Sequence, residues 1–328
     1  MAGRNHFDRK AGGFIEQDRS QDGIDRRGFL KCMAWAGTGT LCILEGGVLK
    51  SYALGSEMNS GTKVHQAARL SFVQISDSHM GFNKPANPDV VATLQAAVLK
   101  IKALPHPPEF ILHTGDITHL SKPSEFDMVD QILRSLNTDV FFVPGEHDVL
   151  NDDGQMFRER YAKESKGQGW YSFDKNGVHF VGLVNVMNLK AGGLGSLGHE
   201  QLKWLEDDLH HLQASTPIVV FAHIPLWTVY PEWGWGTDDG AQALSYLKRF
   251  GSVTVLNGHI HQTMQKIEGN VTFHTACSTA FPQPAPGKAD SPGPMKVPDD
   301  QLRRMLGITS VDFAPRRHAL AITDASLG

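Results

Sequence analysis

Asp, Glu and His side chains recur in five short segments of this 328-residue chain, which holds 16 His in all. Imidazole and carboxylate groups suit divalent or trivalent transition metals, and Fe, Mn and Zn are all compatible with them. The segments are Asp77-Ser78-His79, Gly115-Asp116, Gly145-Glu146-His147-Asp148, His223 and Gly258-His259-Ile260-His261. This number of ligands indicates a site for metal ions.

The spacing within the segments favours two ions. In an extended chain alternate side chains point the same way, so Asp77 and His79 would face one ion, and His259 and His261 would do the same. Asp116 follows a tight Gly turn and can offer one oxygen to each ion. Two ions about 3.5–4 Å apart could clamp the attacking and leaving oxygens of an in-line displacement.

Each segment alone also has a structural explanation. Asp77 and His79 fit a helix cap followed by a surface His, and Gly115-Asp116 fits an ordinary turn. His223 fits a buried His bonded to backbone, and Gly258-His259-Ile260-His261 fits a surface loop. Because all five segments follow predicted strands, these explanations would require five coincidences, and we favour the metal site.

The elements that must position these residues alternate from about Arg69 onward between short apolar runs and amphipathic segments. Strands are predicted over residues 70–76, 110–114, 140–144, 171–173, 178–184, 217–222, 253–257 and 271–276. Helices are predicted over residues 88–103, 123–136, 154–163, 199–212 and 240–250, with a last helix near 301–306 and one or two strands up to residue 323. Residues 281–298 are rich in Pro and Gly and are predicted to form a long loop.

This order predicts an α/β fold. Strands separated by helices in the first half indicate parallel βαβ units, and the pair at 171–184 indicates a hairpin. We expect one domain with a β-sheet core, arranged as a two-sheet sandwich flanked by helices. The ligands would lie at the C-terminal ends of the strands, where side chains and loops converge.

The N-terminal residues resemble a twin-arginine export signal. Arg26–Arg27 is followed by Phe29-Leu30-Lys31, then by a weakly apolar stretch to about Val48, with small residues near 53–55 where a peptidase could cut. The stretch is too short and too polar to span a bilayer, and the alternative is a basic tail before a core helix. We predict a signal over 1–55, read by the twin-arginine export machinery, and a periplasmic or secreted domain over 56–328.

Composition excludes several other classes of protein. Lys and Arg number 31 against 35 Asp and Glu, a net charge of −4, which argues against a surface that coats nucleic acid. Three Cys in a chain of this length cannot form a disulfide framework.

Taken in order across residues 77–261, the five segments resemble the pattern of the calcineurin-like metallophosphoesterases: Asp-x-His, Gly-Asp, Gly-Asn-His-Asp/Glu, His, Gly-His-x-His. Gly-Asp-Ile-Thr and Gly-His-Ile-His-Gln are most similar to bacterial cyclic-nucleotide and glycerophosphodiester phosphodiesterases. The resemblance implies a phosphodiesterase that acts on a small phosphate ester.

The resemblance also implies a role for each residue. One ion would bind Asp77, His79, Asp116 and His261, and the second would bind Asp116, Glu146, His223 and His259. A water bridging the ions would be the nucleophile, since metal binding can lower its pKa from about 15.7 to about 7. His147 would face the substrate, with Asp148 orienting its ring and raising its pKa.

Glu146 departs from the pattern, because the family usually has Asn there. A third carboxylate beside Asp77 and Asp116 would hold the second ion more tightly and would favour a trivalent ion. Alternatively, the longer side chain misplaces the ligand and weakens the second site.

Two alternatives to a phosphodiesterase stay open: a phosphomonoesterase or pyrophosphatase on the same scaffold, and a metal-binding protein without turnover. The segment 227–239 suggests a substrate wall in which Trp233 or Trp235 stacks on a base or apolar leaving group, unless these residues only cover the sheet edge. The loop 281–298 would form the opposite wall. His119 is a candidate to contact a ligand.

Overall fold

The computed structural model describes residues 40–45, 48–53, 70–313 and 320–328. The first two ranges form strands β1 (Thr40–Glu45) and β2 (Val48–Ala53), which pair antiparallel. The chain divides into two units, residues 1–65, to which these two strands belong, and residues 66–328. The rest of the predicted export signal at 1–55 lies outside the described residues, and the signal stays a prediction.

Besides three short 3₁₀ helices (Glu146–Asp148, Ala191–Gly193 and Pro231–Trp233), the described residues of the second unit form six α-helices and eleven strands. In chain order they are β3 (Leu70–Ile75), α1 (Val90–Lys102), β4 (Phe110–His113), α2 (Pro123–Arg134), β5 (Asp139–Phe142), α3 (Gln155–Tyr161), β6 (Tyr171–Lys175), β7 (Val178–Gly182), α4 (Gly198–His210), β8 (Ile218–Phe221), α5 (Gly240–Leu247), β9 (Val253–Asn257), β10 (Met264–Glu268), β11 (Val271–Thr275), α6 (Asp299–Met305), β12 (Gly307–Phe313) and β13 (Ala321–Ser326).

The strands form two sheets. One has the order β13-β12-β3-β4-β5, and the other has the order β10-β11-β9-β8-β7-β6. Strands β3, β4 and β5 are parallel and are joined through α1 and α2. Strands β7, β8 and β9 are also parallel and are joined through α4 and α5. The predicted βαβ units and the hairpin of β6 with β7 are confirmed.

Apolar residues pack on both faces of each sheet, which makes four layers: helix, sheet, sheet, helix. Between the sheets Phe72 stacks on Phe110 of the neighbouring strand, with ring centroids 5.0 Å apart, and meets Phe180 of the other sheet edge-on at 5.5 Å. On the outer faces α1 and α2 cover the first sheet, and α4 and α5 cover the second. The expected two-sheet sandwich flanked by helices is confirmed. Its central strands are apolar throughout because both of their faces are buried.

Helix α4 shows how the sequence sets this packing. Leu202, Leu205 and Leu209 are spaced by three and four residues, so they lie on one face of the helix and are all buried. The carboxylate of Asp239 accepts hydrogen bonds from Leu197 N at 2.9 Å and Gly198 N at 2.8 Å, which satisfies backbone donors at the start of the helix.

Two differences from the predicted elements have simple causes. Strand β10 was not predicted, because it is a sheet edge whose residues are mostly exposed and lack an apolar pattern. Strands β1 and β2 were not predicted either, because both lie within residues 1–55, which were assigned to the export signal. Residues 281–298 contain no helix or strand, as expected. Within the described residues, none of the helices combines the length and apolar character that a bilayer crossing requires.

Candidate metal centre

The predicted ligands all lie just beyond the C-terminal end of a strand. Asp77 and His79 follow β3, Asp116 follows β4, Glu146 follows β5, His223 follows β8, and His259 and His261 follow β9. The two sheets therefore contribute to one site. Gln74 joins the sheets directly behind it, because its side-chain amide donates to the carbonyl of Asn257 at 3.0 Å and to Thr114 Oγ1 at 2.9 Å.

The backbone at the ligands is turned rather than extended. Asp77, His79, Asp116, His259 and His261 have φ of 54°, 39°, 51°, 69° and 52°, in the left-handed region that residues with a side chain rarely adopt. Left-handed residues cluster at functional sites, where the surrounding structure holds the strain. The expectation that both Asp-x-His and His-x-His are extended is therefore wrong, although each pair does converge.

Asp77, His79 and His261 form the first ligand group. His79 Nε2 lies 3.2 Å from His261 Nε2, which lies 3.3 Å from Asp77 Oδ1. The three residues are at most 2% exposed. Atoms that bind one ion at about 2.0–2.2 Å lie roughly 3–4 Å from one another, so these spacings suit one ion.

Glu146, His223 and His259 form the second ligand group. Glu146 Oε2 lies 2.9 Å from His223 Nε2, and Glu146 Oε1 lies 3.0 Å from His259 Nδ1. The carboxylate of Glu146 therefore sits between two imidazoles. This position agrees with the predicted role of Glu146 as a ligand rather than with the alternative that its longer side chain misplaces the ligand.

Asp116 lies between the two groups. Its Oδ2 is 3.4 Å from His79 Nε2 and 3.5 Å from His223 Nε2. Its Oδ1 accepts a hydrogen bond from the backbone N–H of His147 at 2.9 Å. We expected one oxygen for each ion; instead a single oxygen faces both groups, and the other is used to hold the loop.

Backbone carbonyls fix the orientation of two imidazoles. His223 Nδ1 donates to the carbonyl of Thr114 at 2.7 Å, and His261 Nδ1 donates to the carbonyl of Phe281 at 2.6 Å. A carbonyl only accepts, so Nδ1 carries the proton, and in the neutral ring Nε2 presents its lone pair to the site. This is how metal-binding histidines are commonly oriented.

The residues fit a cation. Within the described part of the chain, Glu146 Oε2, His223 Nε2 and both ring nitrogens of His259 are buried and make no hydrogen bond. With Nδ1 of His223 protonated, its Nε2 faces a carboxylate oxygen, and this contact is favourable when a positive charge lies there, either as a second proton on the ring or as a metal ion. A metal ion would supply that charge to His223 and Glu146 together.

The electrostatics of the ligands agree with this interpretation. Burial raises the pKa of the Glu146 carboxyl, but the charges of His259 and His223 outweigh it and hold that pKa well below its usual range. Burial also lowers the pKa of His223, but the charges of Asp116 and Glu146 raise it well above its usual range. For His79, burial and then the charges of His147 and His261 lower the pKa. Glu146 and His223 thus favour an ionised carboxylate beside a positive charge, and the lowered pKa of His79 favours the neutral imidazole that binds metal.

Glycines allow the ligand loops to approach closely. A Cβ on Gly145 would overlap Asp116 Oδ1, and one on Gly258 would lie 2.6 Å from Asp77 Oδ2. Any side chain at either position would displace a ligand. Both glycines precede ligands in the sequence, and the contact that requires them is visible only in the folded chain.

The geometry corrects one predicted role. The ring of His147 is not held by Asp148: His147 Nδ1 donates to the carbonyl of His119 at 2.7 Å. Asp148 is fully buried, and its carboxylate accepts hydrogen bonds from Ile117 N, Thr118 N, Thr118 Oγ1 and Gly145 N at 2.8–3.0 Å. Asp148 therefore shapes the loops around Asp116, because all of its oxygen lone pairs face donors there.

The charges around His147 act in the predicted direction. Burial lowers the pKa of its imidazole, but the charges of Asp116 and Glu146, the bond to the His119 carbonyl and the charge of Asp148 raise it. Asp148 thus contributes to the shift, but it is the smallest of these causes.

The structure removes Trp235 from the proposed aromatic wall and leaves Trp233 half-buried. Trp235 is fully buried, so it cannot stack on a substrate. Trp233 packs edge-on against Trp235 and Tyr230, each at 5.1 Å between ring centroids. Trp227 packs instead on Phe273 of β11, with ring centroids 4.9 Å apart, which agrees with the alternative that these residues cover the sheet.

Two further aromatic side chains lie beside the site. From the sequence, His119 was only a candidate to contact a ligand, and Phe281 was not singled out. His119 stacks on His147, with ring centroids 4.9 Å apart, and meets His79 edge-on at 5.6 Å. Phe281 stacks on His79 at 4.7 Å. For Phe281 the sequence carried no signal beyond its place at the start of the Pro-rich loop.

Comparison with known proteins agrees with the resemblance to metallophosphoesterases. The family model described as calcineurin-like phosphoesterase matches residues 70–263, which contain every candidate ligand. A probable glycerophosphodiester phosphodiesterase of Arcobacter nitrofigilis is 26% identical over 159 residues, covering 47% of this chain and 56% of the relative. A 3′,5′-cyclic-nucleotide phosphodiesterase of Nostoc is 24% identical over 218 residues, covering 65% of this chain and 79% of the relative.

Solved structures share the fold. A dimetal phosphatase from Danio rerio has a TM-score of 0.62 at 16% identity and covers 79% of this chain and 96% of its own. A purple acid phosphatase from yellow lupin has a TM-score of 0.57 at 12% identity and covers 80% of this chain and 52% of its own.

The family match and the relatives support a metal-dependent phosphoric ester hydrolase. The chain belongs to the calcineurin-like phosphoesterase family.

Proposed function

We propose that this protein hydrolyses phosphodiesters with two transition-metal ions of the Fe, Mn or Zn type. The observation that carries the proposal is the position of Asp116 Oδ2, 3.4 Å from His79 Nε2 and 3.5 Å from His223 Nε2. A carboxylate oxygen between two His-containing groups can serve as a ligand that two neighbouring ions share.

Each ligand has a defined part. One ion would be held by Asp77, His79 and His261, and the other by Glu146, His223 and His259. Asp116 would bind both ions. When bound, such ions act as Lewis acids toward phosphoryl oxygens and lower the pKa of water. The carbonyls of Thr114 and Phe281, which accept from Nδ1 of His223 and His261, turn Nε2 of each ring toward the position where an ion would bind.

His147 would handle the proton of the leaving group. Because its Nδ1 donates to the carbonyl of His119 at 2.7 Å, the opposite nitrogen, Nε2, is the atom that can give a proton to the leaving oxygen. The ring meets that of His79 edge-on at 4.8 Å, so it stands beside the first ligand group.

Diesters are favoured because two relatives are named as a probable glycerophosphodiester phosphodiesterase and a cyclic-nucleotide phosphodiesterase. The test compares hydrolysis of bis-p-nitrophenyl phosphate and p-nitrophenyl phosphate by the EDTA-treated protein after addition of Mn, Zn or Fe(II). We expect faster turnover of the diester with at least one metal, and a loss of about 10²–10⁴-fold in His147→Ala. His211→Ala is the matched control, since His211 is exposed and lies outside the candidate site.

Other outcomes would contradict the proposal in distinct ways. Preference for the monoester would indicate a phosphomonoesterase. Binding of two ions without turnover of either substrate would indicate a metal-binding protein that does not catalyse.

We further propose that the protein is exported by the twin-arginine route to the periplasm or beyond. Support comes from Arg26–Arg27 and the Phe29-Leu30-Lys31 that follow. The test replaces both arginines by Lys and fractionates cells: we expect the protein to stay in the cytoplasm. Normal export of the double variant would contradict this proposal without affecting the hydrolase proposal.

A further inference from the structure

The ring of Phe281 packs against two ligands of the first group. Its centroid lies 4.7 Å from that of His79, with an angle of 26° between the planes, and 4.7 Å from that of His261, with an angle of 40°. Phe281 is 3% exposed. A flat ring in contact with two imidazoles restricts the rotation of both.

The backbone of Phe281 also holds one of these ligands. Its carbonyl accepts the Nδ1–H of His261 at 2.6 Å, which directs Nε2 of that ring toward Asp77. Ring and carbonyl therefore act together on the same imidazole.

The segment before Phe281 is fastened to the ligand loop. Ser278 Oγ donates to the carbonyl of Asp77 at 2.8 Å and accepts from Ala280 N at 2.8 Å and Phe281 N at 3.2 Å. The backbone N–H of Thr279 donates to the carbonyl of Ser76 at 3.0 Å. Phe281 is thus positioned by direct bonds to the backbone that carries Asp77.

We propose that Phe281 is a positioning residue that holds His79 and His261 in the orientation that binds the first cation. The proposal rests on the two-ion site proposed above. It assigns a role at the metal centre to the first residue of the Pro-rich loop, a residue that is itself not a ligand. Groups that orient ligands commonly change metal affinity by about 10–100-fold when they are lost.

Phe82 provides a matched control. It is 2% exposed, similar to Phe281, and its ring lies 4.3 Å from that of Phe281. Its other ring contact within the described residues is with His119, at 5.2 Å, and not with His79 or His261. Phe281→Leu and Phe82→Leu therefore remove rings of equal size from one cluster, but only the first removes contacts with ligands.

The experiment titrates EDTA-treated full-length protein with Mn²⁺ by calorimetry and follows thermal unfolding in parallel. We expect wild type to take up two ions. Phe281→Leu should bind one of them about tenfold or more weakly and the other normally. Phe82→Leu should bind both ions with nearly wild-type affinity, while losing similar thermal stability.

Two backgrounds identify the affected ion. In Glu146→Ala, which removes a ligand of the second group, Phe281→Leu should still weaken the remaining ion. In His261→Ala, which removes a ligand of the first group, Phe281→Leu should have no further effect on the remaining ion.

Equal affinities in wild type and Phe281→Leu would overturn the inference and leave the two-ion site intact. So would a loss in Phe82→Leu as large as that in Phe281→Leu, because general packing would then explain both. Uptake of fewer than two ions by wild type would instead contradict the proposed function, and the inference would fall with it.

Discussion

Glu146 is the ligand position at which the chain departs from the family pattern. Each of its oxygens faces a different imidazole, 2.9 Å from His223 Nε2 and 3.0 Å from His259 Nδ1. Asn is one methylene shorter and has a single oxygen, so it could not make both contacts from the same backbone position. The charge and the reach of Glu are therefore both used.

We predict that Glu146→Ala lowers metal content from two ions toward one, because the second group loses the carboxylate at its centre. Glu146→Gln keeps the length of the side chain and removes its charge. It should bind the second ion at least about tenfold more weakly, because the loss of a group that only orients a ligand already lowers metal affinity by that factor. Elemental analysis and Mn²⁺ titration measure both effects. An unchanged stoichiometry in Glu146→Ala would rule out Glu146 as a ligand.

Asp148 provides a second prediction at the level of single residues. Asp148→Asn replaces one carboxylate oxygen by an amide nitrogen that faces two donors. A buried donor without a partner costs about 1–3 kcal/mol, so we expect the free energy of unfolding to fall by at least that amount. Denaturant titration measures it, with the exposed Asp153→Asn as control.

The result distinguishes the two roles considered for Asp148. If stability were unchanged and only the pH dependence of turnover moved, Asp148 would act on His147 after all. The hydrogen bonds to the backbone of residues 117, 118 and 145 favour a structural effect instead.

Among the elements, β6, β7 and α4 are joined by one imidazole away from the metal centre. His179 of β7 places Nδ1 at 2.8 Å from Asp174 Oδ1 of β6 and Nε2 at 2.9 Å from Asp208 Oδ2 of α4. Burial lowers the pKa of His179, but the hydrogen bonds to Asp208 and Asp174 outweigh it and raise the pKa. The protonated ring therefore stabilises the contact between hairpin and helix.

We predict that this contribution depends on pH. Because the pKa of the folded state is raised, the stabilisation is complete below the unfolded value of about 6.5 and is lost as the pH rises through the folded value. The difference in unfolding free energy between wild type and His179→Gln should be larger at pH 6 than at pH 9. We expect about 1 kcal/mol or less, since the side chain of Asp174 is 73% exposed and its charge is screened.

Denaturant unfolding of both proteins at each pH, with metal present, measures this difference. A difference that is equal at the two pH values would show that His179 stabilises the elements through packing alone.

At the scale of the whole second unit, the metal centre joins two sheets that each have their own helices. Ligands from β3, β4 and β5 belong to one sheet, and those from β8 and β9 belong to the other. Two bound metal ions would therefore connect the two sheets. The unfolded chain would not bring these ligands together.

We predict that metal raises the melting temperature. A ligand that binds only the folded state at one hundred times its dissociation constant adds about 2.7 kcal/mol, and in a domain of this size about 1 kcal/mol shifts the melting temperature by 2–4 °C. Each ion should then add about 5–10 °C. Differential scanning calorimetry with EDTA and with Mn, Zn or Fe tests this. Asp116→Ala should show a smaller rise, and equal melting temperatures with and without every metal would contradict the site.

Much of this molecule could be predicted from local patterns. The βαβ order followed from apolar periodicity, and the ligand residues were predicted from Asp, Glu and His at the ends of strands. Local patterns suffice there because both the alternation of a strand and the position where it ends depend on neighbours in sequence. Strand β10 was missed because an exposed edge does not carry that alternation.

Tertiary structure decided how the residues act. His79 and His261 are in contact although 182 positions separate them in the chain. Such long-range contacts determine that one oxygen of Asp116 faces both groups, that a carbonyl rather than Asp148 holds His147, that Trp235 is buried, and that Phe281 packs on the ligands. These depend on which loops the folded sheets bring together, because the free energy of a buried hydrogen bond or ring contact depends on partners that the local sequence does not contain.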